Sequence, residues 1–353
     1  MISVNLNKEN VRYLDIWMNK VSRSFAVVVA SLEEPLKFYM SASYIICRVI
    51  DNIEDCLAVE EWKSQRFAEV SQLLIDPSQA ENIFAVWDEE EWPGLSQDEW
   101  KLMKSPDGLE LWRIFAGFPE QVQSVIRYWS LQMADGMGHL QEPASRPRFV
   151  NFAGVELLED VQDYNQYCYV VAGTVGHLAT ELVIQHYRLP GTVADILLRT
   201  CEACGRGLQK TNIVKDFPED LTRGISYLPD AWLSEVDHSP LSLSGAPGEW
   251  KYKVLADVLA DLRDATEYTL ALPYEATGYR MASLLCLLPA LQTLLFAAQR
   301  QQFMFTQRHP TKISHQTFAQ CIFDAKRLVK SNDGIIEYFR KIENKVELQF
   351  AVA

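Results

Sequence analysis

The chain has 353 residues, of which 48% are apolar and 23% charged, which suffices for a large folded core and excludes an intrinsically disordered protein. Its 33 basic and 47 acidic residues give a formal net charge of −14, so we expect no binding to nucleic acid. The seven cysteines are scattered, unlike those of a secreted disulfide scaffold, and the polar first ten residues resemble no secretory signal. We therefore expect a cytoplasmic protein.

Long stretches of the chain carry apolar residues at helical spacing. They predict helices over 8–30, 33–75, 107–140, 151–187, 191–216, 249–272, 277–307 and 313–346. Proline-containing breaks over 76–106, 141–148 and 217–248 predict loops inside one domain that spans 1–353. Alternating strand patterns and Asn-Gly or Asp-Gly turns are scarce. The predicted fold is all-α, a single-domain helical bundle.

The stretch 281–299 carries no charged residue and is just long enough to cross a bilayer. Pro289 lies in its middle, and polar residues such as Gln292 and Thr293 interrupt it. These interruptions favour a helix buried in the bundle over a transmembrane helix. Such a buried helix could also form one wall of an apolar tunnel.

A first acidic cluster lies in the predicted helix 33–75. Asp51, Glu54 and Asp55 follow one another at i, i+3 and i+4, so a helix presents all three carboxyl groups on one face. Like charges at this spacing destabilise a helix, and the apolar surroundings add a desolvation cost. A divalent cation would reverse the sign of both effects.

A second cluster lies near the end of the predicted helix 191–216. Asn212, Asp216 and Asp220 are four residues apart, so one side of a helix can present an amide and two carboxylates. Pro218 predicts that the helix bends or ends there, which would leave Asp220 close to a loop. Hard oxygen ligands from two helices suit Mg²⁺ that shares its coordination sphere with substrate phosphates. The two clusters together predict a metal-bridged diphosphate site.

An alternative is that both clusters only form surface ion pairs with Arg48, Lys215 and Arg223. The same basic residues would also serve the diphosphate prediction, because a leaving diphosphate needs Arg or Lys to take up its developing charge.

These motifs resemble the squalene and phytoene synthase family, which joins two prenyl diphosphates head to head. The resemblance runs in order from residue 22 to about residue 314 and includes both acidic boxes. The matching segments are Ser22-Arg-Ser-Phe-Ala26, Asp51-x-x-Glu-Asp55, Met133-x-x-Gly-Met137, Tyr167-Cys-Tyr-x-Val-Ala-Gly-Thr-Val-Gly176, Leu208-Gln-Lys-Thr-Asn-Ile213, Asp216-x-x-Glu-Asp220 and Arg223-Gly-x-x-Tyr-Leu-Pro229. The resemblance implies an isoprenoid-synthase helical bundle with a central apolar channel, closed at its mouth by the two boxes.

The resemblance also implies a role for each matched side chain. Six residues would hold Mg²⁺ against two diphosphates: Asp51, Glu54, Asp55, Asn212, Asp216 and Asp220. Substrate would be bound by Ser22, Arg23, Phe25, Gln209, Lys215 and Arg223, with Arg48 neutralising phosphate charge at the catalytic centre. Tyr167, and Tyr44 as a second candidate, would assist the first ionisation or take the proton lost on cyclopropane formation. Lys312 would contact the phosphates of NADPH.

The implied reaction condenses two farnesyl diphosphates through presqualene diphosphate and then reduces the product to squalene with NADPH. The alternative within the family is a dehydrosqualene- or phytoene-type synthase that ends with proton loss and needs no NADPH. A third possibility is a non-catalytic helical scaffold, against which the intact acidic boxes argue. Because the product is apolar, we expect a cytoplasmic enzyme with peripheral membrane contact.

Overall fold

The protein is described by a computed structural model over residues 7–141 and 149–351. Helices account for most of the described chain, as the all-α prediction requires. The helices are α1 Lys8–Val21, α2 Arg23–Val29, α3 Leu36–Asp55, α4 Glu60–Ile75, α5 Ala80–Trp87, α6 Gln97–Leu102, α7 Asp107–Ala116, α8 Glu120–Gln141, α9 Val161–Cys168, α10 Thr174–Tyr187, α11 Gly191–Thr222, α12 Asp230–Ser234, α13 Gly248–Ala271, α14 Thr277–Gln299, α15 His315–Leu328 and α16 Asn332–Phe350. The strands are β1 Phe149–Phe152, β2 Val155–Leu158 and β3 Ile225–Ser226.

The chain forms two compact units. Unit 1 consists of Met1–Arg146 and His177–Leu189, and unit 2 of Pro147–Gly176 and Pro190–Ala353. Each unit has its own apolar core. One domain over 1–353, with a central channel, stays a prediction.

Helix α3 is the centre of unit 1. It packs against α1, α4, α7 and α8, and residues such as Ile45, Ile46 and Ile50 are fully buried. The helix is therefore held on several sides, which fixes the direction of the polar side chains on its remaining face. Arg48 and the first acidic box lie on the second half of this helix.

Helix α11 is the corresponding scaffold of unit 2, where it packs against α9, α13 and α14. The segment Tyr169–Gly173 after α9 is a π-helical turn, and it also packs against α11. A Cβ atom on Gly205 would lie 2.0 Å from the carbonyl oxygen of Ala172, and one on Gly176 would lie 2.3 Å from that of Cys201. These two glycines therefore permit close backbone approach between the helical segments of unit 2.

A small sheet in unit 2 departs from the predicted helix over 151–187. Strands β1 and β2 are antiparallel, with Phe152 opposite Val155, and β3 pairs with β2 in parallel. The two turn residues, Ala153 and Gly154, have φ of 52° and 85°. Such a two-residue turn suits a hairpin, but Ala-Gly lacks the Asn-Gly or Asp-Gly signature by which a sequence announces one.

Other boundaries also differ from the prediction. The stretch 76–106, predicted as a loop, contains α5 and α6, because short helices with one buried side give too few periodic positions to recognise. The predicted helix 8–30 is interrupted at Ser22, whose extended backbone lets its side chain cap α2. Helix α11 does not end at Pro218 but continues to Thr222.

Two helical stretches, Val161–Tyr187 and Thr277–Gln299, have the length and composition of a membrane span. Within unit 2, α14 packs against α11, α13, α15 and α16, and 67% of its most apolar window is buried. This packing fits the predicted core helix.

Candidate active site

In unit 1, the residues predicted for the first diphosphate begin where α2 starts. The Ser22 hydroxyl accepts a hydrogen bond from the Phe25 backbone N–H at 3.3 Å and also hydrogen-bonds to Tyr44. The Phe25 ring stacks on the Tyr44 ring, with centroids 4.9 Å apart. Burial raises the pKa of Tyr44 to about 12, so its phenol is neutral at physiological pH. Arg23 is the first residue of α2, and its side chain lies outside the described part of the structure.

One turn further along α3, Arg48 lies among carboxylates. Its guanidinium nitrogens lie 3.7 Å from Asp51 and 3.9 Å from Asp55. They also form a close ion pair with Glu99, at the start of α6. Glu54, the third acid of this box, is partly exposed, and its backbone carbonyl accepts a hydrogen bond from Lys63.

Asp51 is the most perturbed carboxyl group of the first box. Burial, opposed by Arg48 and reinforced by Asp55 and Glu99, raises the pKa of Asp51 to about 7. The ionised form is therefore under-compensated by the protein's own residues. An added cation would stabilise it.

The second acidic box, in unit 2, is also arranged around basic side chains. Lys215 donates a hydrogen bond to the side chain of Asn212 at 2.8 Å and lies 3.1 Å from Asp216. Lys312 lies 3.4 Å from Asp216 and donates a hydrogen bond to Glu219 at 2.7 Å. The hydrogen bond to Glu219 is the main reason why the pKa of Lys312 is raised.

The remaining residues predicted for the second diphosphate lie on the same helix or directly after it. Gln209 is half-buried on α11, and Asp220 lies two residues before its end. Arg223 is exposed and caps the helix, since its backbone N–H donates to the carbonyl of Asp220 at 3.0 Å. Because the helix continues past Pro218, Asp220 lies on the same helix as Gln209.

Tyr167 lies on α9 and is 5% exposed. Its ring stacks on that of Tyr227, with centroids 4.2 Å apart and ring planes inclined by 16°. The π-helical turn that follows Tyr167 is of a kind often found at functional sites. Tyr227 belongs to the Arg-Gly-x-x-Tyr-Leu-Pro motif, so the sequence marks this residue as part of a family motif. The motif does not indicate that Tyr227 contacts Tyr167.

The donor chemistry of both boxes fits Mg²⁺. The donors are carboxylate and amide oxygens, which this ion prefers. Within residues 7–141 and 149–351, no three His, Cys, Asp or Glu side chains converge on a ready-made metal position. Mg²⁺ commonly takes one or two protein carboxylates and completes its sphere with water and substrate phosphates, and a pair such as Asp51 and Asp55 offers that number of carboxylates.

Sequence reasoning missed two charged residues beside these boxes. Glu99 lies in the stretch predicted as a loop, and only the fold brings it to Arg48. Lys210, inside the Leu-Gln-Lys-Thr-Asn-Ile motif, is buried and lies 2.7 Å from Asp257 and 2.9 Å from Asp261 on α13. These contacts join α11 to its neighbour directly beside the second box.

The ion-pair alternative is realised in part, since Arg48 and Lys215 contact carboxylates of the two boxes. Those pairs do not exclude a diphosphate site, because the same cations would face the phosphates. A common cavity for both boxes stays a prediction.

Comparison with known proteins places these features in a family. The squalene/phytoene synthase family matches residues 18–311. The squalene synthase of Cyberlindnera jadinii is 27% identical over 341 residues, which cover 93% of this chain and 70% of that protein. The squalene synthase of Eremothecium gossypii is 31% identical, over 62% of this chain, and the match spans only 46% of that relative.

The fold agrees with the same family. The structure of TcSQS in complex with the ligand BPH1237 superimposes with a TM-score of 0.80 at 21% identity, covering 97% of this chain and 92% of that one. These likenesses confirm the predicted family and helical fold, and the relatives' names agree with the predicted activity. The chain belongs to the squalene/phytoene synthase family.

Proposed function

We propose that the chain is a squalene synthase that condenses two farnesyl diphosphates through presqualene diphosphate and reduces the product to squalene with NADPH. The observation that carries this proposal is that each acidic box combines hard oxygen donors with a cationic side chain. Arg48 lies within 4 Å of Asp51 and Asp55, and Lys215 lies 3.1 Å from Asp216. A diphosphate needs both kinds of group, because metal and Arg or Lys share its negative charge.

The first half of the site would bind one diphosphate. In this proposal Asp51, Glu54 and Asp55 provide metal ligands, and Ser22, Arg23 and Arg48 provide hydrogen bonds and positive charge to phosphate oxygens. Phe25, whose ring stacks on Tyr44, would pack against the prenyl chain.

The second half would bind the other diphosphate in the same manner. Asn212, Asp216 and Asp220 are spaced four residues apart on α11 and would provide the metal ligands here. The substrate ligands here would be Lys215, Arg223 and Gln209. Mg²⁺, when bound, neutralises the diphosphates and makes them better leaving groups.

Tyr167 and Tyr44 suit an allylic cation, which must be stabilised without being trapped. A neutral phenol can donate a hydrogen bond to departing diphosphate, while its ring face attracts positive charge. The pKa of about 12 keeps Tyr44 protonated. Tyr227 lies against Tyr167 and would hold its ring in place. We propose that Tyr167 acts in the ionisation or proton-loss step, with Tyr44 as a second group.

NADPH enters the proposal through the family resemblance and not through a recognised pocket. Lys312, which the resemblance assigns to the cofactor phosphates, contacts the carboxylates of Glu219 and Asp216, and its role in NADPH binding stays a prediction.

The test is incubation with farnesyl diphosphate and Mg²⁺, with and without NADPH, followed by mass spectrometry of the extracted products. Squalene that appears only with NADPH supports the proposal. A conjugated triene in both reactions would instead identify a dehydrosqualene-type synthase. Absence of diphosphate release would overturn the enzymatic proposal and favour a scaffold.

We also propose a cytoplasmic location with peripheral membrane contact, because squalene must pass into lipid. Flotation of the protein with anionic phosphatidylglycerol vesicles tests this contact. Recovery of all protein at the bottom of the gradient, with or without substrate, would contradict it.

A further inference from the structure

Glu99 links a helix start to the first acidic box. Helix α6 begins with a capping box, in which Glu99 N–H donates to the Ser96 hydroxyl at 3.4 Å. One oxygen of Glu99 accepts the Ser96 backbone N–H at 2.9 Å. The other oxygen accepts a hydrogen bond from the Arg48 guanidinium. One carboxylate oxygen of Glu99 is therefore held by the start of α6, and the other binds Arg48.

Arg48 hydrogen-bonds to Glu99 but lies beyond hydrogen-bond distance from the predicted metal ligands Asp51 and Asp55. Its contact with Glu99 is much closer than its 3.7 and 3.9 Å distances to Asp51 and Asp55. The side chains of Arg48 and Glu99 are 24% and 22% exposed, so solvent screens the pair only partly. Although partial burial opposes it, the hydrogen bonds from Ser96 and the charge of Arg48 lower the pKa of Glu99, which keeps this carboxylate ionised.

We propose that Glu99 is a positioning residue for the proposed diphosphate site. It holds the Arg48 guanidinium beside the acidic box and satisfies its charge, so that Asp51 and Asp55 remain available to a divalent cation. Without Glu99, the carboxylates that lie within 4 Å of Arg48 in the described part of the chain are Asp51 and Asp55, and Arg48 would compete with the metal for them. This inference rests on the proposed function, because it treats Asp51 and Asp55 as metal ligands.

Glu99→Gln separates the ion pair from the cap. Glutamine can occupy the same capping-box position, so α6 should still form, while the charge on Arg48 is no longer compensated. Glu99→Asp keeps the charge but shortens the side chain and withdraws it from Arg48. The matched control is Asp98→Asn, which removes one carboxylate from the adjacent, 46% exposed position.

Binding of Mn²⁺, a paramagnetic substitute for Mg²⁺, is measured by electron paramagnetic resonance in the presence of inorganic diphosphate, without turnover. We expect Glu99→Gln and Glu99→Asp to weaken Mn²⁺ binding about tenfold, and Asp98→Asn to change it less than about twofold. In an Arg48→Gln background, adding Glu99→Gln should change it less than about threefold, since the residue acts through Arg48.

Equal weakening by Glu99→Gln in both backgrounds would overturn the proposal, because Glu99 would then act on the cation directly. Wild-type Mn²⁺ affinity in Glu99→Asp would also overturn the proposal, because the distance between the carboxylate and Arg48 would then not matter. If the wild-type protein binds no Mn²⁺ and forms no squalene, the proposed function fails. If the wild type does both and Glu99→Gln matches it, the proposed function stands and only the role of Glu99 is lost. Thermal melting of each variant verifies the fold.

Discussion

Replacement of Asp51 by asparagine should remove activity and yet stabilise the protein without bound metal. The pKa of this carboxyl group is raised from 3.8 to about 7, mainly by burial, so its ionised form is disfavoured in the folded state. One pKa unit corresponds to about 1.4 kcal/mol, which gives an upper limit of about 4 kcal/mol for the cost of the charge. Because the side chain is 28% exposed, we expect a measured gain of about 1–2 kcal/mol.

The sign of the pH dependence follows from linkage. Below about pH 4, Asp51 is protonated in both the folded and the unfolded state, so Asp51→Asn and the wild type should be equally stable. As the pH rises from about 4 to 7, the unfolded wild type loses this proton first, and the wild type loses stability relative to the variant. Above pH 7 the difference should be constant.

Urea unfolding of EDTA-treated protein at pH 5, 6, 7 and 8 measures this difference through the shift in midpoint. Asp98→Asn, an exchange of an exposed carboxyl group in the same unit, should show no comparable gain. Adding Mg²⁺ with inorganic diphosphate should stabilise the wild type but not Asp51→Asn. An Asp51→Asn protein that is less stable than the wild type at pH 8, or equally stabilised at every pH, would refute the reasoning.

Three further predictions concern unit 2. Asp216→Asn should lower turnover at least about 100-fold with an unchanged melting temperature. The control Asp195→Asn, on the exposed side of α11, should keep turnover within about twofold of the wild type. Steady-state diphosphate release measures both variants, and near-normal turnover in Asp216→Asn would exclude Asp216 as a metal ligand. Tyr167→Phe should lower turnover about 10- to 100-fold in the same assay while its stack on Tyr227 is kept; an unchanged rate would leave Tyr167 only a packing role. Lys312→Ala should raise the KM for NADPH about tenfold, because this half-exposed cation would no longer reach a cofactor phosphate; a KM within about twofold of the wild type would leave Lys312 only its contacts with Glu219 and Asp216.

The spacing of the acidic boxes was readable from the sequence because it is a property of one helix. Asp51 and Asp55 share a face of α3 through the i, i+4 repeat, and Asn212 and Asp216 do so on α11. The long amphipathic stretches predicted most helices for the same local reason. The β1–β2 hairpin was not predicted, because its turn residues, Ala153 and Gly154, lack the usual hairpin signature.

Partners far apart in the chain could not be predicted in this way. Glu99 lies 51 residues from Arg48, and Lys312 lies 93 residues from Glu219. Nothing in either local pattern specifies such a pair, since each contact depends on how helices and loops pack. The same holds for Tyr167 and Tyr227, which come together only once α9 and the segment after α11 have folded.

By itself, the sequence determined the helical class, the family and the identity of both acidic boxes, because periodicity and motif spacing act within single helices. Only the tertiary structure decided which charges accompany those boxes and how far the pKa of Asp51 is shifted. The physical reason is that desolvation and charge pairing depend on neighbours supplied by other elements of the fold.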